Sequence, residues 1–191
     1  LLVSAAVVAA SVERPTPGPR RPDAAVAADR ATASVRAAVR TAVATALDRG
    51  AANPVVTPAD SPYGRVLNDS RPYRDSLAIR AYVRVKRALA ATTVAVGDAT
   101  ATVSLPAVDD PEDLRAGKRR VALAGRGNGT VAATIRNVTL VVRVDGRVVR
   151  RENRTFTATV ASPALELHDR VVAYDDRLSK GAVAGPGFGR Q

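Results

Sequence analysis

The sequence contains no cysteine, no methionine and no tryptophan, and it has a single histidine, His168. The absence of cysteine excludes disulfides, thiolate metal sites and a cysteine nucleophile. A single histidine also excludes a multi-histidine metal site within this chain. Aromatic residues are only 3% of the 191 residues, and the 46% that are hydrophobic are mostly alanine and valine. We therefore expect a core built from many small contacts.

Acidic residues are outnumbered, because 29 Lys and Arg against 18 Asp and Glu give a formal net charge of +11. This charge favours an anionic partner such as an acidic protein, an acidic glycan, lipid headgroups or nucleic acid. Nucleic acid is disfavoured, since its binders usually add aromatic stacking or a reading helix. Solvated surfaces are the alternative interpretation of the basic runs. The candidate polyanion contacts are Lys118, Arg119, Arg120, Arg147, Arg150 and Arg151.

Long hydrophobic runs are scarce, and the one at residues 1–12, LLVSAAVVAASV, is shorter than the roughly twenty residues that cross a bilayer. It predicts the end of a membrane anchor or the apolar part of a signal peptide, with a buried N-terminal helix as the alternative. Residues 13–23 are rich in proline and predict a stiff stalk. This order favours a membrane-anchored domain displayed outside the cytoplasm.

Residues 24–180 predict one α+β domain, an antiparallel sheet with a long hairpin packed with about three helices. Residues 24–48 predict the first helix, which Gly50 should end. Its apolar positions are four residues apart and comprise Val35, Val39, Val43 and Leu47. A second helix is predicted from Ser70 to Ala91, with Leu77, Tyr82, Val85 and Leu89 inside. The last helix should begin after Ser162 and end at Gly181, with Leu165, Val172 and Leu178 on its apolar side. Residues 181–191 are predicted to be a flexible exit to a further C-terminal part.

The pattern between the second and last helices has the period of two that is typical of strands. Residues 93–105 predict two strands, residues 106–117 a loop with one helical turn, and residues 118–124 another strand. Asp145 and Gly146 predict a tight turn, because both central positions of a type I′ turn need positive φ. The resulting register pairs Val131 with Val160, Ala133 with Ala158, and Ile135 with Phe156. Nearer the turn the apolar residues change sides, which predicts either different covering elements at the two ends or a pair of bulges.

Three glycines, Gly125, Gly127 and Gly129, resemble part of a phosphate-binding loop. A dinucleotide loop needs G-x-G-x-x-G between a strand and a helix, and here the third glycine is misplaced and a strand follows. No helix N-terminus is therefore expected to hold a phosphate. The glycines predict a turn between strands, and the sequence predicts no cofactor and no small-molecule substrate.

Four of the five asparagines head an N-x-S/T triplet without proline, a larger share than chance predicts. The candidate glycosylation sites are Asn68, Asn128, Asn137 and Asn153. Such acceptors are used only on exported surfaces, so they favour an extracytoplasmic location. The uninterrupted register places Asn128 in a turn and Asn137 on the polar side. It places Asn153 beside Val138 on the apolar side, which makes Asn153 the poorest candidate.

Catalysis and metal binding receive little support from the sequence. A Ser-His-Asp arrangement would have to use His168, but no serine has the nucleophile-elbow context, and a solvated helical histidine is expected. The acidic run at residues 109–113 lacks the spacing of a calcium loop and predicts a solvated loop and helix start. Asp175 and Asp176 predict an exposed helix surface. We expect a non-catalytic protein.

Four segments resemble the N-terminal region of an uncharacterised family of large haloarchaeal envelope proteins with an N-terminal membrane anchor. They are YGRVLNDSRPYRDSLAIRAYV, TATVSLP, TVASPALELHDRV and RLSKGAVAGPGFGR. The genes of that family typically lie beside type IV pilus-like and secretion-like components. The resemblance implies an exported, glycosylated structural or assembly module in the cell envelope, linked to such an apparatus. It supplies no active site. A polyanion-binding module that uses the arginine runs is the alternative function.

Overall fold

The computed structural model describes residues 22–183. The predicted anchor, most of the stalk and residues 184–191 of the exit lie outside this range. The described elements, in chain order, are helix α1 (Pro22–Ala52), helix α2 (Pro72–Ala90), strands β1 (Thr93–Val96) and β2 (Ala99–Ser104), helix α3 (Pro111–Arg119), strands β3 (Val121–Gly127), β4 (Thr130–Val144) and β5 (Arg147–Ala161), and helix α4 (Ala164–Val183). Two short 3₁₀ turns, Pro58–Asp60 and Gly64–Val66, connect α1 to α2. The predicted α+β class is confirmed.

The sheet is antiparallel and is organised around β4, which is fifteen residues long. One edge of β4 pairs with β5 along its length. The other edge pairs first with β3 and then with β2, and β1 extends the sheet beyond β2. At about 3.4 Å per residue the β4–β5 hairpin is about 50 Å long. This hairpin is therefore the central element of the sheet, and β2 and β3 both pair with its first strand.

The predicted hairpin turn is confirmed, and two bulges explain the change of apolar side. Ile135 pairs with Phe156, but the next pair is Val138 with Arg154, so β4 carries one extra residue between them. Asn137 in this bulge has φ 58°. A second irregularity between Val142 and Arg143 restores the original register. The interpretation that different elements cover the two ends is wrong, because the bulge returns the apolar residues of both halves to one core.

Helices α1 and α2 pack together on one side of the sheet and supply that core. The predicted apolar positions of both helices are buried, including Val35, Leu47 and Leu77. Tyr82 is the largest fully buried side chain, and its hydroxyl donates to the carbonyl of Pro106 at 3.1 Å. Gly117 of α3 lies against this ring, where a Cβ atom would be 2.5 Å from Tyr82 Cε1. Small residues such as Gly117 thus let a helix pack closely against the few large side chains of the core.

Three predicted element boundaries are wrong. Gly50 does not end α1, which continues to Ala52, because Gly50 is buried against Leu77 and tertiary packing outweighs its low helix propensity. The single turn predicted before β3 is a nine-residue helix that includes Lys118 and Arg119, so the strand begins only at Val121. Helix α4 passes through Gly181 to Val183.

The apolar side predicted for α4 is also partly wrong. Leu165 is buried against the body, but Val172 and Leu178 are exposed. Helix α4 contacts α1 and β3 only sparsely. Residues 170–178 of α4 are all exposed.

Candidate functional site

The face of the sheet opposite α1 and α2 has no helix layer within residues 22–183, and we call it the open face. Strand alternation and the observed register assign its side chains. It is rich in hydroxyls and carries Thr100, Thr102, Ser104, Thr130, Thr134, Thr139, Thr155, Thr157 and Thr159. Thr134 and Thr157 form a cross-strand pair with their hydroxyls 3.3 Å apart. Ala132 and Val141 lie among them but are mostly covered by neighbouring side chains, so the face is not an apolar patch.

Two of the candidate glycosylation triplets meet on the open face. The bulge pairs Thr139 with Asn153, and the Thr139 hydroxyl donates to Asn153 Oδ1 at 2.9 Å. Asn153 is exposed, and the prediction that it lies on the apolar side beside Val138 is wrong. The prediction fails because β4 contains one inserted residue, and a register shift by one residue moves a side chain to the other face of the sheet. Asn137 is exposed in the bulge two residues before Thr139.

The other two triplets lie in exposed turns. Asn128 has φ 52° between Gly127 and Gly129, both of which also have positive φ. Asn68 precedes α2, and its Oδ1 accepts from the Ser70 N–H at 2.9 Å, which closes an Asx turn within the triplet. All four acceptor asparagines are therefore exposed, as a transferase acting on this surface would require.

The glycine run forms the predicted turn between β3 and β4. The Gly129 N–H donates to Glu166 Oε2 at 3.0 Å, and the Gly129 carbonyl accepts from the Ser162 N–H at 2.7 Å. The Glu166 carboxylate thus already accepts the N–H hydrogen bond that a bound phosphate would need. The role of this turn is to join the sheet to the start of α4.

The structure does not bring the two basic runs together. Arg120 adjoins the β3 residue that pairs with Ile135, whereas Arg147 pairs with Val144, nine positions further along β4. At about 3.4 Å per residue the two runs are about 30 Å apart. Each must therefore be considered as a separate surface.

Lys118 belongs to an ion pair inside the fold. Its Nζ donates to Asp75 Oδ2 of α2 and to the carbonyl of Val66 at 2.8 Å. Of its neighbours, Arg119 is exposed and Arg120 is half-buried. Lys118 thus has little capacity left to contact an external anion.

The hairpin tip gathers arginines from both strands, and we call it the arginine tip. Its members are Arg143, Arg147, Arg150 and Arg151. Arg150 donates to Glu152 at 2.8 Å, and Arg154 pairs with the same carboxylate while donating to Thr32 Oγ1 of α1 at 2.6 Å. Glu152 therefore ties the base of the tip to the helix layer. Arg147 and Arg151 remain exposed.

His168 is half-buried rather than solvated, because its ring stacks on Tyr73 with the centroids 4.4 Å apart. Burial lowers the pKa of His168, the neighbouring Asp169 raises it, and Arg74 lowers it. In the acidic run, Asp110 caps α3 by accepting from the Asp113 N–H at 2.8 Å. This helix start agrees with its predicted structural role. Asp175 and Asp176 are exposed, as predicted.

No group of three or more acidic or histidine side chains within residues 22–183 is placed to hold a metal ion. Across the same range, no helix has both the length and the apolar character needed to span a bilayer. An open groove lies between the connector at residues 61–66 and the start of α3.

These features define a two-layer α+β protein whose distinctive surfaces are an open hydroxyl-rich sheet face and an arginine-rich hairpin tip. The chain belongs to the family described as a family of unknown function, DUF7286, which matches residues 1–191. No curated protein and no solved structure matches the chain.

Proposed function

We propose that this protein is an exported, glycosylated module of the cell envelope with a structural or assembly role and no catalytic activity of its own. The observation that carries the proposal is the exposure of all four N-x-S/T asparagines. An acceptor asparagine must be exposed for a glycan to be transferred to it, whereas a triplet that occurs by chance can be exposed or buried. The resemblance to haloarchaeal envelope proteins supplies the wider setting, a membrane anchor before the domain and a link to a pilus-like or secretion-like apparatus.

The open face gives these glycans a physical role. An antiparallel sheet can leave one face to water when that face is polar, and the threonine hydroxyls make it so. A glycan on Asn137 or Asn153 would extend over the neighbouring hydroxyls and hinder association of the open face with other proteins. We therefore propose that glycosylation of β4 and β5 keeps this surface hydrated outside the cell.

Antibody labelling of intact host cells tests the location. An antibody raised against the folded domain should label unpermeabilised cells, with an antibody to a cytoplasmic protein as the control. Labelling that requires permeabilisation would contradict an external location. Co-purification of pilus-like components from detergent extracts of the same cells tests the proposed assembly role separately.

The arginine tip favours a second candidate, binding of an acidic glycan or an acidic protein. Arg147 directly follows the hairpin turn and Arg151 lies four residues further along β5, and both are exposed, so long-range attraction to an anion is little obstructed there. The double variant Arg147→Glu, Arg151→Glu should elute from heparin at clearly lower salt. Arg36→Glu, Arg40→Glu is a matched control, since it makes the same charge change on the exposed side of α1. If both double variants elute at equally lowered salt, the attraction to heparin depends on net charge alone and not on the arginine tip.

A further inference from the structure

Among the side chains that the structure describes, through Leu178, those in the first turns of α4 hold the helix to the body. Ala164 and Leu165 are buried, His168 stacks on Tyr73, and Asp169 receives two bonds from Arg74 Nη2 at 2.6 and 2.7 Å. Beyond Asp169, every residue through Leu178 is exposed. The helix therefore projects from the body for more than two turns.

The projecting part carries an unpartnered apolar stripe. Leu167, Val171, Tyr174 and Leu178 are 53%, 65%, 64% and 54% exposed. They are separated by four, three and four residues, which is the alternation of positions a and d in a heptad repeat. Val171 and Leu178 take position a, and Leu167 and Tyr174 take position d. We call these four residues the α4 stripe.

The body attaches mainly on one flank of the helix and leaves the four stripe residues more than half exposed. In the same heptad Asp169, the partner of Arg74, takes position f, opposite the seam formed by a and d, and Leu165 takes position b. His168, at position e beside the seam, stacks on Tyr73, and Ala164 is buried at position a one turn before the stripe. A second helix can therefore lie against the part of the stripe beyond Asp169 without displacing a contact that the structure shows.

The charges beside the stripe identify the partner. Arg170 takes position g and Asp175 takes position e of the following heptad. In a parallel pair of identical helices these two positions face each other across the seam, so each dimer would contain two contacts between opposite charges. In an antiparallel pair that keeps the four stripe residues in register, g faces g and e faces e, so Arg170 would oppose Arg177 twice and His168 would oppose Asp175. The pattern thus favours a parallel pair and disfavours an antiparallel one.

The residue types of the first half of the stripe agree with a two-stranded arrangement. A β-branched residue at a with leucine at d favours parallel dimers, and Val171 and Leu167 have this combination, whereas Leu178 at a and Tyr174 at d do not. Arg170 bonds Glu166 within its own helix, but its side chain remains 71% exposed and can also reach across the seam. The contact is short, so association should be reversible and dependent on concentration.

We propose that the α4 stripe is a homodimerisation surface, on which a second copy of this chain packs its own α4 in parallel. The two bodies then lie at the same end of the helix pair. This inference does not depend on export or glycosylation, and it can be tested on unglycosylated protein.

A charge-exchange series measured by sedimentation equilibrium on the 191-residue chain tests the pairing. Arg170→Asp alone and Asp175→Arg alone should each weaken the dimer about tenfold, since two symmetric attractions become repulsions. The double variant Arg170→Asp, Asp175→Arg should recover most of the lost affinity. Asp176→Arg is the matched control, because it makes the same change one residue away at position f and should leave the dimer unchanged.

Cross-linking tests the orientation against a clean background, because the chain has no cysteine. Leu167→Cys and Leu178→Cys, made separately, should each form a disulfide-linked dimer on mild oxidation. An antiparallel pair brings at most one of these positions next to its own copy. The proposal is overturned by a monomer at all concentrations up to the millimolar range, by no recovery in the double variant, or by cross-linking at only one position. Binding of the monomer to lipid vesicles through the stripe, without self-association, would also overturn it.

Discussion

Asp75 is the charged side chain among the buried polar residues of the described chain, and it organises the region around the start of α2. It accepts from the Asn68 N–H at 3.0 Å and from Lys118 Nζ, while Arg71 Nε lies 3.6 Å from its other oxygen. Lys118 also reaches the connector through the Val66 carbonyl. One lysine thus joins α3, α2 and the connector, which is why it is a poor candidate for binding an external polyanion.

Replacing Lys118 should therefore lower stability rather than anion binding. Lys118→Ala leaves Asp75 without its closest cation, and we expect a loss of about 2 kcal/mol in the free energy of unfolding. Urea denaturation measures this loss. Arg119→Ala, at the exposed neighbouring position, should change stability by no more than about 0.5 kcal/mol. Equal effects of the two substitutions would contradict the structural role of Lys118.

His168 should make the docking of α4 depend on pH. Burial lowers its pKa in the folded protein below the ordinary value of about 6.5. The folded protein therefore favours the neutral ring. The contribution of this ring to the stability of α4 docking is complete above about pH 6.5, and it is lost as the pH falls through the lowered pKa. NMR titration of this single histidine should give a midpoint below that of a model peptide.

Hydrogen exchange provides the structural readout for the same prediction. After correction for intrinsic rates, amides in the first turns of α4 should be less protected at pH 5 than at pH 7.5. The variant His168→Phe keeps an aromatic ring against Tyr73 and should lose most of this pH dependence. A midpoint at or above the peptide value would contradict the account of His168.

At the scale of elements, the bulge in β4 decides which side chains reach the open face. Asn137 has φ 58°, a left-handed conformation that asparagine and glycine tolerate and that β-branched residues resist. The extra residue lets Ile135 and Val138 both face the core. Without it, the half of the hairpin nearest the turn would present its apolar side to water.

Two substitutions at the bulge test this requirement. Asn137→Gly should change the free energy of unfolding by less than about 0.5 kcal/mol, whereas Asn137→Val should cost about 1–3 kcal/mol because of its positive φ. Both substitutions remove the same glycosylation triplet, so any difference in stability between the two variants reflects the backbone conformation at residue 137. Thermal unfolding of unglycosylated protein measures it, and equal stability of the two variants would argue against a strained bulge.

The hairpin also shows how far the sequence predicts the fold. Asp145 and Gly146 are a local signal, so the turn and the pairs at the far end were predictable. The two bulges cancel each other, so the pairs at both ends obey one register while those in the middle are shifted by one. The sequence shows that the apolar side changes along the hairpin, but it does not decide between a pair of bulges and different covering elements. The prediction for Asn153 rests on the uninterrupted register, and this is why it was wrong. The four triplets were visible in the sequence, but the faces they occupy depended on the bulge.

At the scale of the whole molecule, the surfaces divide according to what each can contact. Helices α1 and α2 cover one face of the sheet, the arginine tip projects at one end, and the α4 stripe extends away from the body. The open face remains for water and for the proposed glycans. A net charge of +11 favours contact with anionic surroundings, and the proposed acidic partner would be held at the tip.

The central claim is that this surface is exported and glycosylated, and glycopeptide mass spectrometry of protein purified from its native host tests it most directly. The account predicts a glycan on Asn128 or Asn137, and the observed register adds Asn153 as an accessible acceptor on the open face. Asn53, which heads no such triplet, serves as the internal control and should be unmodified. Complete coverage of all four triplets with no glycan on any of them would contradict the claim.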